Sequence, residues 1–198
     1  MPRISAERRQ DRYRSIVEAA QQVFVEKGLH QTSMSDIARD AGVSDGLLYR
    51  YFDSKRALLD AVLKDFYERL LVRLEGEIFS LPKFEDQFRK LLELHLTTFV
   101  EDAGLCRLFI SEVRVASNYS GSETQALNRR YTKVLLRVME RAEKERCIRP
   151  GIDLRLFRDL VFGGIEHLAW RHVNGGRRLR VTEDAKAICT ILLEGVKR

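Results

Sequence analysis

Proline is scarce in this chain, at 3 of 198 residues, and glycine is modest at 12. Both interrupt regular structure, so their shortage leaves long uninterrupted helices as the expected fabric. Cysteine is as rare. Cys106, Cys147 and Cys189 are far apart and odd in number, which argues against a disulfide framework or a zinc cluster. Each is expected as a small core residue. No apolar run approaches the ~20 residues that a helix needs to span a bilayer. The basic N-terminus is not followed by an apolar stretch, so no signal peptide is read there, and a cytoplasmic location without membrane attachment is expected. Histidine is sparse too. His30, His95, His167 and His172 make no metal spacing, and His167 and His172 are five apart rather than the i, i+4 of ligands on one helix face. There is no glycine-rich phosphate loop, nucleophile elbow or pair of catalytic carboxylates in a loop. Enzymes are the main rival class, and no catalytic residue, metal or cofactor is expected.

What is present describes an ordinary globular protein. Apolar residues make up 44% of the chain and charged residues 32%. The length suffices for one good core or two small ones. The net charge of +6 is compatible with a polyanionic partner, but its distribution locates none. Residues 1–55 hold nine basic and eight acidic side chains. One stretch stands out: within residues 1–14, Arg3, Arg8, Arg9, Arg12 and Arg14 face only Glu7 and Asp11. An arm laid along a DNA backbone or minor groove, or a solvated tail, would have this composition.

Periodicity predicts an all-α chain. A first helix runs from about Arg9 to Lys27 on the stripe Ile16, Ala19, Ala20, Val23 and Phe24, and Gly28 stops it. Ser33 and Asp36 have the spacing of a capping box for a short helix over 34–41. Gly42-Val43-Ser44 is a tight turn, and Ser44 caps a third helix over 45–51. Two short helices joined by a glycine-containing turn are a helix-turn-helix. Ser54 caps a long helix from Lys55 to Phe79. Further helices are expected over 84–102, 105–116, 123–146, 154–173 and 183–196, with caps at Ser122, Asp153 and Thr182. The expected division is a DNA-binding head over 1–54 and a ligand-binding and dimerisation body over 55–198.

The third helix is poorly suited to a core. Leu48 and Phe52 anchor it, while Ser44, Asp45, Gly46, Tyr49, Arg50 and Tyr51 surround them. Hydroxyls donate to phosphate oxygens, an arginine reaches guanine or phosphate, and a glycine admits a close backbone. Thr32 and Ser33 at the start of the second helix, and Lys55, are candidate phosphate contacts. For any one of these residues a cap, a core tyrosine or a solvated charge is an equal reading. The set together favours duplex DNA.

The run from Ile16 to Leu58 resembles the DNA-binding domain of the TetR family of bacterial repressors. The residues that carry the resemblance are Ala19-Ala20, Phe24, Gly28, Thr32-Ser33, Ile37-Ala38, Ala41-Gly42-Val43-Ser44, Gly46, Leu48-Tyr49, Tyr51-Phe52, Lys55 and Leu58. The resemblance implies a three-helix head, a helical body and a homodimer on palindromic double-stranded DNA, with repression relieved by a small-molecule effector. It places Thr32 or Ser33, Tyr49, Tyr51 and Lys55 on phosphates, and Ser44, Asp45, Gly46 and Arg50 near bases or flanking phosphates. Two positions depart from the commonest pattern. Asp45 repels phosphate unless it caps the helix or accepts from a cytosine amino group, and Leu47 offers only apolar contact. A weaker resemblance, through Asp45-Gly46 and Gly175-Gly176-Arg177-Arg178, is to the branch that responds to fatty acyl-CoA.

In the body, helices 8 and 9 are the expected dimer interface. Phe157, Leu160, Val161, Gly164, Ile165 and Leu168 are read as one face of helix 8, and Ile188, Ile191, Leu192 and Val196 as the face of helix 9. The candidate effector site draws on Phe99, Cys106, Phe109, Ile110, Val113, Arg114, Tyr119, Tyr131, Phe162, His167 and Trp170, since a pocket needs an apolar lining with few polar groups. Alternatives at this level are the same fold sensing a lipophilic drug or aromatic compound, and a DNA-binding protein without an effector.

Overall fold

The computed structural model describes residues 6–197. Arg3, part of the expected arm, lies outside them. Nine α-helices and one π-helical turn, without a strand, make up the regular structure of the described residues. They are α1 (Ala6–Gln31), α2 (Met34–Asp40), α3 (Asp45–Tyr49), α4 (Lys55–Phe79), α5 (Phe84–Glu101), α6 (Ala103–Leu108), the π-turn (Phe109–Val113), α7 (Glu123–Lys144), α8 (Leu154–Val173) and α9 (Val181–Val196). No helix of the described residues is long and apolar enough to cross a membrane.

The chain packs as two compact units. One runs through Phe66 and takes in Leu108–Thr124; the other comprises Tyr67–Arg107 and the chain from Gln125 onward. In the first unit α1 packs on α2, and α2 on α3. Its core is made by residues spaced three and four apart: Ile16, Ala20, Val23 and Phe24 of α1, Ile37 and Ala38 of α2, Leu48 of α3, and Leu58, Leu59 and Val62 of α4. Each large apolar side chain buried there contributes roughly 1.5–3 kcal/mol. The ring of Tyr13 lies 5.3 Å from that of Phe52, joining α1 to the residues just after α3. Gly28 breaks α1 in a left-handed conformation, φ 78°, before its last residues.

In the second unit α5 packs on both α8 and α9. Phe84, Phe88 and Phe157 follow one another with centroid spacings of 6.1 and 5.9 Å. Phe157, Val161, Ile165, Ala169 and Val173 form the buried stripe of α8. Just past the end of α7, Arg146 takes a left-handed φ of 58°. The Cys147 N–H then donates to Ala142 and the Arg146 N–H to Glu143, so the last carbonyls of α7 are met.

Two local expectations change. The helix expected over 105–116 is α6 followed by the π-turn, in which the Arg114 N–H donates to Phe109 at 2.9 Å. Thr182 does not cap α9. That helix begins at Val181, and the buried Asp184 carboxylate accepts the Arg180 N–H at 2.9 Å and an Arg177 N–H at 3.0 Å. Ser33, Ser44, Ser54 and Asp153 cap as expected.

Candidate functional site

The helix-turn-helix is built by short-range hydrogen bonds. Ser33 Oγ accepts the Asp36 N–H at 3.1 Å, and the Asp36 carboxylate accepts the Ser33 N–H at 3.1 Å and its hydroxyl at 2.7 Å. Lys27 and Arg39 also meet that carboxylate, at 2.9 and 2.7 Å. Together these donors hold Asp36 well below the usual carboxylate range, the Lys27 bond contributing most. Gly42, at φ 63°, turns the chain, and the Val43 N–H donates back to Ala38 at 2.9 Å. Ser44 Oγ then accepts the Leu47 N–H at 3.2 Å and starts α3.

α3 hangs on one fully buried side chain, Leu48, with Phe52 buried just beyond it. Around that anchor Ser44, Asp45, Gly46, Tyr49 and Arg50 are exposed and Tyr51 is half-buried. Half of the Tyr49 surface meets solvent (51%). A Cβ at Gly46 would meet no atom within 4 Å, so no packing among the described residues requires a glycine there. Asp45 accepts the Ser35 hydroxyl at 2.6 Å, which ties the start of α3 to α2. Ser35 was not among the expected residues, because its partner is ten positions away and outside any cap spacing.

Two expected phosphate contacts sit elsewhere. Thr32 is buried, and its hydroxyl donates to Gly28 at 2.7 Å. The Lys55 ammonium donates to the carbonyls of Leu29 at 2.6 Å and Thr32 at 2.7 Å. The reason is local: the break at Gly28 leaves carbonyls at the end of α1 without helical donors, and these two side chains supply them. Ser33 is exposed, but its hydroxyl is engaged in the capping box.

The same break receives a third group. Glu112, on the π-turn, accepts the Leu29 N–H at 3.1 Å, and its other oxygen lies 3.3 Å from where a Cβ of Gly28 would stand. Five expected effector residues belong to this segment of the first unit. Val113 is buried, Phe109 packs its ring 6.0 Å from Tyr119, Ile110 is half-buried and Arg114 is exposed.

Phe99, Cys106 and Phe162 lie in the second unit, around a group absent from the expected set. The His95 imidazole is buried on α5, with Nδ1 2.6 Å from the Tyr131 hydroxyl. Phe162 stands edge-on to it at 4.8 Å and Phe99 at 5.2 Å. Burial lowers the His95 pKa to about 3 and raises that of the Tyr131 phenol, so both are neutral near pH 7. Burial also pushes the Cys106 thiol up to about 12, and the thiol donates to the Thr98 carbonyl at 3.7 Å. Tyr67 joins with its ring 6.1 Å from Tyr131 and its hydroxyl donating to Asn128 at 3.2 Å. His95 was legible in principle: it recurs at helical spacing with Leu91 and Phe99 in a leucine-rich stripe.

His167 and Trp170 are exposed on α8 and stand apart from that cluster. The outward side of α8 carries Leu156 (57% exposed), Leu160 (63%) and the exposed pair Gly163-Gly164. Ile191 of α9 is 70% exposed. Phe157, Val161 and Ile165, expected on an interface, are instead core residues of the unit, because α5 covers that side of α8.

Comparison with known proteins places this arrangement. Residues 16–62 match the model described as bacterial regulatory proteins of the tetR family, and residues 63–195 match the YsiA-like protein C-terminal region. The chain is 24% identical to the fatty acid metabolism regulator protein of Bacillus subtilis (strain 168), over 93% of this chain and 95% of that protein. It is 29% identical to the HTH-type transcriptional repressor KstR2 of Rhodococcus jostii (strain RHA1), over 91% and 89%. Its fold is similar to that of the transcriptional regulator FadR from Bacillus subtilis, solved in complex with stearoyl-CoA, with a TM-score of 0.84 at 24% identity over 92% of this chain and 98% of that one. With KstR2 of Mycobacterium tuberculosis the TM-score is 0.68 at 24% identity, over 99% and 97%. These relatives are regulators rather than enzymes. Matched along both its head and its body, the chain belongs to the TetR family of bacterial transcriptional regulators.

Proposed function

We propose that the chain is a dimeric repressor that α3 holds on a palindromic operator and that a fatty acyl-CoA releases. The observation that carries the DNA-reading part is the open edge of α3. Ser44, Gly46, Tyr49 and Arg50 are exposed around an anchored Leu48, and no packing among the described residues explains Gly46. In this reading Tyr49 and Tyr51 hold phosphates, Arg50 and Ser44 meet bases or flanking phosphates, and Asp45 accepts from the groove side opposite Ser35. Ser33, Thr32 and Lys55 act one step back, by fixing the ends of α1 and α2 on which α3 is set. Residues 1–54 read DNA, and residues 55–198 sense and pair.

Pairing is assigned to α8 and α9. Leu156, Leu160 and Ile191 are large exposed apolar side chains, and Gly163-Gly164 admits a close helix approach. The two-fold axis this creates matches an operator of two half-sites. Sensing is assigned to the aromatic cluster of Phe99, Tyr131 and Phe162 around His95, with Cys106 at its edge. The similarity to a fatty acid metabolism regulator and to a fold solved with stearoyl-CoA favours a long acyl thioester. The same aromatic lining suits a flat polycyclic ligand, which is the second reading. The test is operator release. A duplex selected from a random library by the protein is titrated with stearoyl-CoA, free coenzyme A and a ketosteroid. Release by stearoyl-CoA alone supports the first reading, release by the steroid alone the second, and release by neither rejects both.

A further inference from the structure

The unit that carries α3 is short of cations free to meet a polyanion. Among its described residues, Lys27 and Arg39 share the Asp36 carboxylate, Arg56 pairs with Asp60, Lys64 pairs with Glu123, and Lys55 lies on carbonyls. Asp45 adds a negative charge beside the reading edge. Arg9, Arg12, Arg14 and Arg50 have no ion pair among the described residues. Three of these four stand in the first turns of α1.

Those turns are a helical overhang. α1 begins at Ala6, and residues 6–12 are all exposed. Arg9 continues the row of Tyr13, Ile16 and Ala20, and Arg12 the row of Ile16, Ala19 and Val23. These rows are the packed face of α1, so its basic residues extend that face beyond the core. Arg8 stands at the margin of that face, about 100° around the helix from Arg9. Glu7, Asp11 and Glu18 recur at i, i+4 and i+11 on the opposite side. Within residues 6–12 the acidic side chains therefore stand opposite Arg9 and Arg12, while Arg14 shares the acidic side. Cations in the first turns also oppose the helix dipole, so helix stability does not explain them. The Tyr13–Phe52 contact fixes where the overhang starts, level with the residue after Tyr51. Arg9, one turn further, stands ~6 Å along the axis from that contact.

We infer that Arg9 and Arg12 form a second phosphate-binding element that holds the backbone of duplex DNA beside the groove read by α3. The inference rests on the DNA-reading role proposed for α3. The chemistry is charge pairing without base readout, so it acts on any duplex.

The test uses the full chain and a 40-base-pair duplex of mixed sequence, with binding followed by fluorescence anisotropy between 50 and 200 mM KCl. Two variants are compared with wild type: Arg9→Gln/Arg12→Gln, and Arg14→Gln on the opposite side. Helical circular dichroism confirms that each is folded. Removing one cation from a phosphate lowers the slope of log K against log salt by ~0.9, so the double variant is expected to lose ~1.8, which makes its fall in affinity over this range ~10-fold smaller. Arg14→Gln is expected to keep the wild-type slope. A double variant with the wild-type slope, or an Arg14→Gln loss as large per charge, overturns the inference. A wild-type chain that binds no duplex at any salt removes the reading of α3 itself, a result seen before any variant is made.

Discussion

A single buried imidazole gives the second unit a measurable response to acid. His95 is held neutral by burial, with a pKa of about 3, whereas in the unfolded chain it titrates at its ordinary value of about 6.5. Between these values the unfolded chain binds a proton that the folded chain refuses. The stability contribution is therefore complete above the ordinary value and falls as pH drops, by at most ~1.4 kcal/mol per pH unit. His95→Gln keeps a partner for the Tyr131 hydroxyl and removes the titration. Urea unfolding at pH 7, 6 and 5 is expected to show a flatter dependence in this variant than in wild type; parallel curves would contradict the assignment. At this scale the sequence was legible wherever partners are close. Ser33, Ser44, Ser54 and Asp153 cap helices two or three residues away, so spacing alone revealed them. His95 and Lys55 were not legible in this way, because their partners lie 36 and 23 to 26 residues off.

Helices were read with little error where a cap and a stripe agree, as in α4 over Lys55–Phe79 and α8 over Leu154–Val173. They were misread where neither applies. The π-turn inserts one extra residue per turn, which a 3.6-residue stripe through Phe109 and Val113 does not reveal. Two elements offer tests at their ends. Arg146 occupies the left-handed position that closes α7, a conformation costing a non-glycine residue ~1–2 kcal/mol. Arg146→Gly relieves this and adds backbone entropy to the unfolded chain, so a net gain of ~0.5–1 kcal/mol is expected in urea unfolding. At the end of α1, Lys55→Met removes the ammonium from the Leu29 and Thr32 carbonyls. Hydrogen bonds to a charged group are worth ~1.5–3 kcal/mol, and a loss of ~2 kcal/mol is expected. The slope of DNA binding against salt stays at the wild-type value. A slope lower by ~0.9 with unchanged stability would return Lys55 to the phosphates.

The whole molecule follows from an asymmetry between the two sides of α8. One side is buried under α5; the other presents Leu156, Leu160 and a glycine pair to solvent, and α9 adds Ile191. Sequence periodicity read these residues as one broad apolar face and could not say which part of it the chain covers itself. That depends on the packing of α5, whose Phe88 meets Phe157 from about seventy residues away in sequence. Leu160→Arg/Ile191→Arg is expected to convert the proposed dimer to a folded monomer in sedimentation velocity at micromolar concentration, with affinity for a two-half-site duplex lowered by at least ~10-fold. A dimeric double variant would move the interface elsewhere. The joining of Glu112 to Leu29 bears on heredity rather than on binding. The unit that presents α3 is discontinuous along the gene, since it includes residues 108–124 from beyond Arg107. A single crossover after residue 66 would transplant α1 to α3 onto a foreign body while leaving the Leu29 N–H without its acceptor. Exchange of whole heads between relatives therefore keeps this hydrogen bond only through two matched exchanges, or in a recipient that already carries an acidic residue in place of Glu112.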